Sequence, residues 1–352
     1  MLSGGLLGIF TRDTVPALTP SQCLNRRNRF EPCQLCASAC PFGALTCAGG
    51  PPVIEEKKCQ GCGLCAAACP SEALHLRDYH LFRRLAGADG PLELRCLKSG
   101  GAYCLRGVRP AFWASLMLYR AEQTFIFVLP CPSCELAGRA GGAEKVPGPL
   151  GMALEFLRTL EVRPKIEIEQ DAAYERELSR RELMASFFAW GREKGKNLLE
   201  DVLWRGGNDA FLARRFLAGR LDVRERESGA QALLLRDGVF HDFAVSGQCD
   251  GCGLCEGLCP AGAWTLRRLG EEGRGAEAPF KGLSYNMEDC MGCGLCARKC
   301  PQGALSSLAE FSWSKRPILK RKFEMNRCRH CGAWFLRHDP KRELCERCSR
   351  RP

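Results

Sequence analysis

The sequence has no apolar run long enough to cross a membrane. Its longest apolar tract, Pro110 to Pro130, is interrupted by Arg120 and Glu122. The N-terminal run Leu6 to Phe10 is too short for the apolar region of a secretory signal or for a membrane span. We therefore expect no transmembrane segment and no export.

Motifs for nucleotide cofactors and for nucleophilic catalysis are also missing. No G-x-G-x-x-G follows a predicted strand, there is no Walker loop, and no nucleophile-base signature can be found. A flavin site, a nicotinamide site and a hydrolase centre are therefore without support in this sequence.

Cysteine, by contrast, is abundant, with 25 among 352 residues. The pattern C-x2-C-x3-C-P-x2-A occurs four times, beginning at Cys33, Cys62, Cys252 and Cys293. Three copies have a further cysteine three residues upstream, namely Cys59, Cys249 and Cys290. The completed run C-x2-C-x2-C-x3-C-P is typical of thiolate ligands to cubane [4Fe–4S] clusters. Cysteines at metal-ligand spacing also favour a reducing, cytoplasmic location over a disulfide-bonded one.

The spacing predicts that the copies work in pairs. Three thiolates on one loop face one cube, and the fourth, beyond a turn of helix, closes the cube of the paired copy. In the C-terminal pair this predicts one cluster on Cys249, Cys252, Cys255 and Cys300, and a second on Cys290, Cys293, Cys296 and Cys259. In the N-terminal pair it predicts one cluster on Cys59, Cys62, Cys65 and Cys40, and another that includes Cys33, Cys36 and Cys69.

The first copy departs from the pattern, because Phe30 stands where the upstream cysteine should be. Cys23, ten residues ahead of Cys33, is our preferred fourth ligand, at the head of a longer loop. Cys47 is the rival, and whichever thiol is not a ligand is expected to be a buried free cysteine.

The chain between the pairs alternates strand and helix patterns. Strands are predicted at Leu92–Arg95, Thr124–Leu129 and Lys165–Glu169, with helices at 109–122 and 149–160, which indicates a small α/β unit with parallel strands. Four cysteines lie at the ends of the first two strands: Cys96, Cys104, Cys131 and Cys134. Ligands in open α/β sheets bind at such ends. A [2Fe–2S] cluster, another metal or redox dithiol, and reduced structural thiols remain open for them.

The tail has two C-x2-C knuckles separated by thirteen residues. Their ligands would be Cys328, Cys331, Cys345 and Cys348. This spacing predicts a zinc ribbon, and a rubredoxin-like single iron would use the same four thiolates. His330 and His338 lie within it, but four cysteines already complete a tetrahedron.

The formal net charge of +11 invites a nucleic-acid interpretation. Four cubanes with their thiolates contribute roughly −8 to −12, and a four-cysteine zinc site roughly −2. The loaded protein is then near neutral, so nucleic acid is not the expected partner. The basic residues 315–329 are expected to form a solvated face.

The motifs resemble the bacterial-type 2[4Fe–4S] ferredoxin family twice over. The arrangement is similar to a polyferredoxin-like protein, and to electron-transfer subunits of hydrogenase, formate dehydrogenase or heterodisulfide-reductase-type complexes. The resemblance implies low-potential clusters and a redox protein partner. We expect an α+β multidomain chain with ferredoxin modules at 1–80 and 231–312, the α/β domain at 81–170, a helical segment at 171–230 and the zinc ribbon at 313–352.

The predicted function is electron relay between a low-potential donor and a redox enzyme complex. One alternative is a reductase that uses the central cysteines as a redox dithiol or substrate-binding cluster. Another is a redox-sensing regulator that binds nucleic acid through the tail. Substrate-dependent turnover would distinguish the first alternative, and salt-dependent DNA or RNA binding the second.

Overall fold

The computed structural model describes residues 15–27, 32–76, 90–99, 101, 104–131, 134, 148–170, 209–227, 234–236, 238–269, 280–336 and 342–350. The chain divides into two compact units, Met1–Pro20 with Pro32–Leu217, and Ser21–Glu31 with Ala218–Pro352. Most of the predicted helical segment, residues 171–208, lies outside the described residues. Its described end is helical, as predicted.

The N-terminal cysteine motifs lie in a region of short elements, whose described part has four two-residue strands and three helices of four or five residues. They are β1 (Ala17–Leu18), α1 (Leu24–Arg27), α2 (Leu35–Ser38), β2 (Leu45–Thr46), β3 (Val53–Ile54), α3 (Leu64–Ala68) and β4 (Leu74–His75). Strand β2 pairs antiparallel with β3, and β1 pairs antiparallel with β4. Gly63 precedes α3 with φ of 79°, a left-handed conformation that glycine adopts without steric cost. It lets the chain turn from the cysteine loop directly into the helix.

The central region is a three-stranded parallel sheet with helices in the connections, as the sequence predicts. It comprises β5 (Leu92–Arg95), α4 (Pro110–Tyr119), β6 (Thr124–Val128), α5 (Gly148–Thr159) and β7 (Lys165–Glu169), and α6 (Asp209–Glu227) follows. The strand order is β5-β6-β7. Trp113 and Phe127 are fully buried and meet edge to face, with ring centroids 5.5 Å apart. This aromatic pair anchors α4 on the sheet.

Arg109, the residue before α4, connects the central sheet to the N-terminal cysteine pair. Its guanidinium donates hydrogen bonds to the carbonyl oxygens of Ala66, Cys69 and Leu74 at 2.6, 3.1 and 3.3 Å. The same guanidinium lies 3.8 Å from the buried carboxylate of Glu72, which also accepts a 2.7 Å bond from Arg214. The backbone around Cys69 is therefore held by residues of the central region.

The second unit is antiparallel. Its elements are β8 (Leu234–Arg236), β9 (Phe243–Val245), α7 (Leu254–Leu258), β10 (Trp264–Leu269), β11 (Phe280–Tyr285), α8 (Leu295–Arg298), β12 (Leu305–Ser307), β13 (Glu310–Ser312), β14 (Ile318–Arg327), β15 (Trp334–Leu336) and α9 (Glu346–Ser349). The largest sheet has the order β10-β11-β14-β15, and β9 pairs with β12 and β8 with β13. Because β14 belongs to this sheet, the sheet crosses the boundary predicted between residues 312 and 313.

The run 267–280 is rich in glycine and glutamate and its sequence predicts an exposed loop, but the structure corrects both ends of this prediction. Residues 267–269 continue β10 and Phe280 begins β11, with Leu269 opposite Phe280 in the register. Pairing across the ladder extends the strands into a sequence whose glycine and glutamate content indicated a loop. Residues 270–279 of that prediction lie outside the described residues.

Within the part of the chain that the structure describes, none of the helices combines the length and apolar character that crossing a bilayer requires.

Candidate metal centres

The first C-terminal set of cysteines surrounds one cavity. Its lining includes Cys249, Cys252 and Cys255 from the loop before α7, Cys300 from the end of the paired motif, and also Cys296 of the second set. Cys252 is exposed, and the others are partly exposed. The structure therefore brings together the four thiols that the pairing rule assigns to one cluster, although Cys300 comes from the other motif.

The second C-terminal set lies beside two aromatic residues, Trp264 and Tyr285. Cys290, Cys293 and Cys259 are the thiol neighbours that raise the pKa of Cys296. Burial is the largest cause and brings this pKa to about 12, while the indole N–H of Trp264 opposes it by a hydrogen bond to Cys296. The Tyr285 hydroxyl donates to the carbonyl of His241 at 2.8 Å and also lies against Cys290.

The third set consists of Cys65 and its three thiol neighbours. Burial raises the pKa of Cys65 to about 12, and Cys62, Cys40 and Cys59 add to the effect. Cys40 also accepts a hydrogen bond from the Ala44 N–H at 3.3 Å. The thiol from the first motif thus joins the three thiols of the second, as the pairing rule predicts.

The fourth set includes Cys47, which the sequence analysis ranked below Cys23 as the fourth ligand. The thiols of Cys36 and Cys47 are 3.7 Å apart. The pKa of Cys36 is raised first by burial, then by Cys47, Cys69 and Cys33. Cys23 is buried directly before α1.

The central cysteines converge at the ends of β5 and β6. A hydrogen bond from Cys104 is the main cause that lowers the pKa of Cys96 to about 6. Cys131 is 4% exposed; burial raises its pKa, whereas the nearby Arg106 guanidinium lowers it and Cys96 and Cys134 raise it further. Arg106 is itself buried, so these cysteines have a fixed positive charge beside them that the cysteine spacing did not reveal.

The loop after Cys96 lies on the third set. The N–H of Cys104 donates to the carbonyl of Cys62 at 3.2 Å. A Cβ on Gly107 would come within 2.4 Å of the same carbonyl oxygen. Only a glycine permits this approach of the two backbones, so the central thiols and the Cys62 loop form one continuous structure.

The tail cysteines form a four-thiol group. The sulfur atoms of Cys328, Cys331, Cys345 and Cys348 all lie within 4.8 Å of one another. The Cys345 N–H donates to the sulfur of Cys328 at 3.3 Å, and this bond is the largest cause lowering the pKa of Cys328 to about 6. A thiol that ionises readily among three others is suited to Zn²⁺ or a single iron.

Several basic residues of β14 are occupied inside the second unit. Lys320 pairs with the buried Asp242 at 2.5 Å, and Arg321 donates to the carbonyls of Ser246 and Gly247 at 2.9 and 2.8 Å. The ammonium of Lys322 lies 3.6 Å from the centre of the Phe280 ring. These contacts account for three of the charges that the sequence interpretation assigned to a solvated face.

The donor chemistry of the ferredoxin-like sets fits iron–sulfur clusters. Each set gathers thiols from two motifs, and burial raises the pKa of Cys65, Cys255 and Cys296 to about 12. Such thiols cannot ionise together without a nearby positive centre, and the iron of a cubane supplies that charge. Backbone N–H groups donate to the sulfurs of Cys259 and Cys290 at 3.3 and 3.4 Å, a typical feature of cluster sites.

Comparison with known proteins identifies two regions. Residues 248–304 match a family described as "4Fe-4S dicluster domain", and residues 52–75 match one described as "4Fe-4S binding domain". The first range contains all eight C-terminal thiols, whereas the repeat at Cys33 lies outside both ranges. No curated protein matches the chain. Two ferredoxin-type 4Fe-4S domains are therefore present, which supports an iron–sulfur electron-transfer role and redox partners in general.

Trp264 and Arg106 are the neighbours of the thiols that sequence reasoning missed. A signal for Trp264 was available, because the residue after the C-P-x-x-A alanine is leucine in the other three motifs: Leu45, Leu74 and Leu305. No comparable signal marks Arg106, whose place beside Cys131 depends on the tertiary fold.

Proposed function

We propose that this protein is a multi-cluster electron-transfer subunit that relays electrons from a low-potential donor to a redox enzyme complex. Hydrogenase, formate dehydrogenase and heterodisulfide-reductase-type complexes are the proposed classes of partner. The observation that carries the proposal is the convergence of thiols from two motifs in each of the four sets. A cubane bound at such a set accepts and releases one electron.

The role of the polypeptide is to hold the thiolates, limit water access and set potentials. Cys36, Cys62, Cys65 and Cys69 are buried, whereas Cys252 is exposed. Burial disfavours the more negative, reduced state of a cluster, so the N-terminal sites are expected to have the lower potentials. The exposed Cys252 makes the first C-terminal set the proposed docking point for a redox partner.

The tail is proposed to hold zinc as a structural site, because its four thiolates leave no open coordination position. The central cysteines are proposed to hold a two-iron cluster. The spacing of the cysteines, typical of metal ligands, supports a proposed cytoplasmic, reducing location.

Metal and sulfide analysis of anaerobically purified protein tests the proposal. We expect about 16 irons in four cubanes, with about two more for a central two-iron cluster. Electron paramagnetic resonance of the dithionite-reduced protein should show spin-coupled pairs. Reduced protein should then be reoxidised by a partner complex, but not by the metabolite substrate of that complex when the complex is absent. About eight irons per chain, or no electron exchange with any of the three classes of complex, would contradict it.

A second candidate function is a reductase centred on the central cysteines. It is favoured by one observation, the packing of the Cys104–Gly107 loop directly on the Cys62 loop. In this case reduced protein would be reoxidised by a small substrate without a partner. Cys131→Ser should abolish that reaction and leave the cubane signals unchanged, whereas an electron carrier would show no substrate-dependent reoxidation.

A further inference from the structure

The N-terminal motif at Cys33 is incomplete, and its missing ligand can be argued from geometry. Cys33 and Cys36 come from the first motif and Cys69 from the second, so three of four thiols follow from the pairing rule. Phe30 occupies the usual place of the fourth. A cube with three thiolates lacks a ligand for one iron. Either another residue supplies that ligand, or the iron has no protein ligand.

Cys47 is close to this set. It directly follows β2, which pairs with β3, and α2, which carries Cys36, packs on β2. The two sulfur atoms approach to 3.7 Å. This contact joins two different elements and therefore depends on the local fold, not on adjacency in sequence.

The same four thiols are neighbours. Cys47, Cys69 and Cys33 are close enough to Cys36 to interact with it electrostatically, and Cys47 is in contact with it at 3.7 Å. Four thiols in one partly buried neighbourhood form the donor set of a cubane.

Cys23 differs from Cys47 in burial. It is 7% exposed and its carbonyl accepts the Arg26 N–H at 3.1 Å, whereas Cys47 is only partly buried.

We propose that Cys47 is the fourth thiolate of the cluster on Cys33, Cys36 and Cys69. The fourth ligand then follows the Cys40-Pro41 step of its motif in sequence, instead of preceding the cysteine loop as in the other three motifs. The proposal rests on the proposed iron–sulfur function and specifies one ligand of it.

Alkylation of the full-length wild-type protein provides a test that needs no substitution. Anaerobic protein is treated with iodoacetamide before and after cluster removal by a chelator, and each cysteine is followed by mass spectrometry. Cys47 should be protected in the loaded protein and modified after cluster removal. Cys23, being buried, should remain protected until a denaturant is added. Modification of Cys47 in the loaded protein would overturn the proposal.

Alanine variants supply the second test. Cys47→Ala removes a partly exposed side chain, and we expect a three-iron electron paramagnetic resonance signal, or the loss of about four irons. Cys23→Ala should retain all four cubes. A lesion in Cys23→Ala with an intact Cys47→Ala, or full iron content in both variants, would refute the assignment.

Two controls separate this proposal from the function on which it rests. Cys36→Ala must damage the same cube, and Cys296→Ala must damage a C-terminal cube. If both do so and Cys47→Ala does not, only the ligand assignment fails. If the wild-type protein binds no cubanes at all, the proposed function fails and the assignment fails with it.

Discussion

Trp264 distinguishes one cysteine set from the other three. It is 1% exposed, it pairs with Tyr285 across β10 and β11, and their ring centroids are 4.6 Å apart. Its N–H donates to Cys296, where the equivalent leucines have no donor to offer. A hydrogen bond to a cluster thiolate stabilises the reduced state more than the oxidised state, because the reduced state carries more negative charge.

We expect Trp264→Phe to lower the reduction potential of the cluster proposed on Cys290, Cys293 and Cys296. Loss of about 1 kcal/mol of preferential stabilisation corresponds to roughly 40 mV for a one-electron couple. Potentiometric titration followed by electron paramagnetic resonance measures the shift. The matched control is Trp313→Phe in the same unit, which is buried beside Phe240 and should leave the potentials unchanged. An equal shift in both variants would mean that the effect comes from looser packing of the domain and not from the lost hydrogen bond.

At the scale of elements, backbone approach decides how the central loop meets the third cysteine set. Gly107 lies against the backbone of Cys62 and Gly63, with no space for a side chain. Gly151, inside α5, has open space around its Cα. The two glycines therefore offer opposite tests of the same substitution.

We expect Gly107→Ala to destabilise the protein by about 1–3 kcal/mol, because a methyl group would be forced into a backbone contact. Gly151→Ala should stabilise it by about 0.5–1 kcal/mol through reduced chain entropy in the unfolded state. Anaerobic denaturant titrations followed by circular dichroism measure both. Equal behaviour of the two variants would show that the Gly107 contact is not tightly packed.

The elements that the sequence predicts well are those with a clear pattern. The parallel order of β5, β6 and β7 follows from apolar runs that alternate with helices, whereas the assignment of the C-terminal cysteines to clusters by motif spacing stays a prediction. Cys47 and Arg106 could not be assigned in this way, because their places depend on how separate elements pack. The extension of β10 to Leu269 was missed because strand pairing overrides local composition.

At the scale of the whole molecule, the tail is continuous with the second ferredoxin-type domain. Strand β14 pairs with β11 at one end and with β15 at the other, beside the four tail thiols. Arg321 holds the carbonyls of Ser246 and Gly247, just before Cys249, and the Phe323 ring lies near Gly251. Order in the tail should therefore support the first C-terminal cysteine set.

We expect Cys348→Ser to lose the metal proposed for the tail and to make the proposed C-terminal cubanes more sensitive to oxygen, while the N-terminal cubanes are unchanged. Loss of the metal frees the end of β14 and weakens its contacts with the Cys249 loop. Zinc analysis and the decay of each cluster signal in a fixed amount of oxygen measure this. Arg347→Ala, an exposed neighbour on α9, is the control. Equal decay in both domains would contradict the expectation.

The pairing of β9 with β12 has a consequence for how the protein is made. It places Val245 opposite Leu305, and the Ser246 N–H donates to the carbonyl of Ala304, so the two ends of the C-terminal domain close on each other. In the N-terminal pair, β4 meets β1 at His75. Since synthesis proceeds from the N-terminus, and since Arg109 and Arg214 hold the backbone around Cys69, we expect the N-terminal sites to close after residue 214 has emerged. The C-terminal sites can close only after Ser307 has emerged, so we expect clusters to be inserted in the order of the chain.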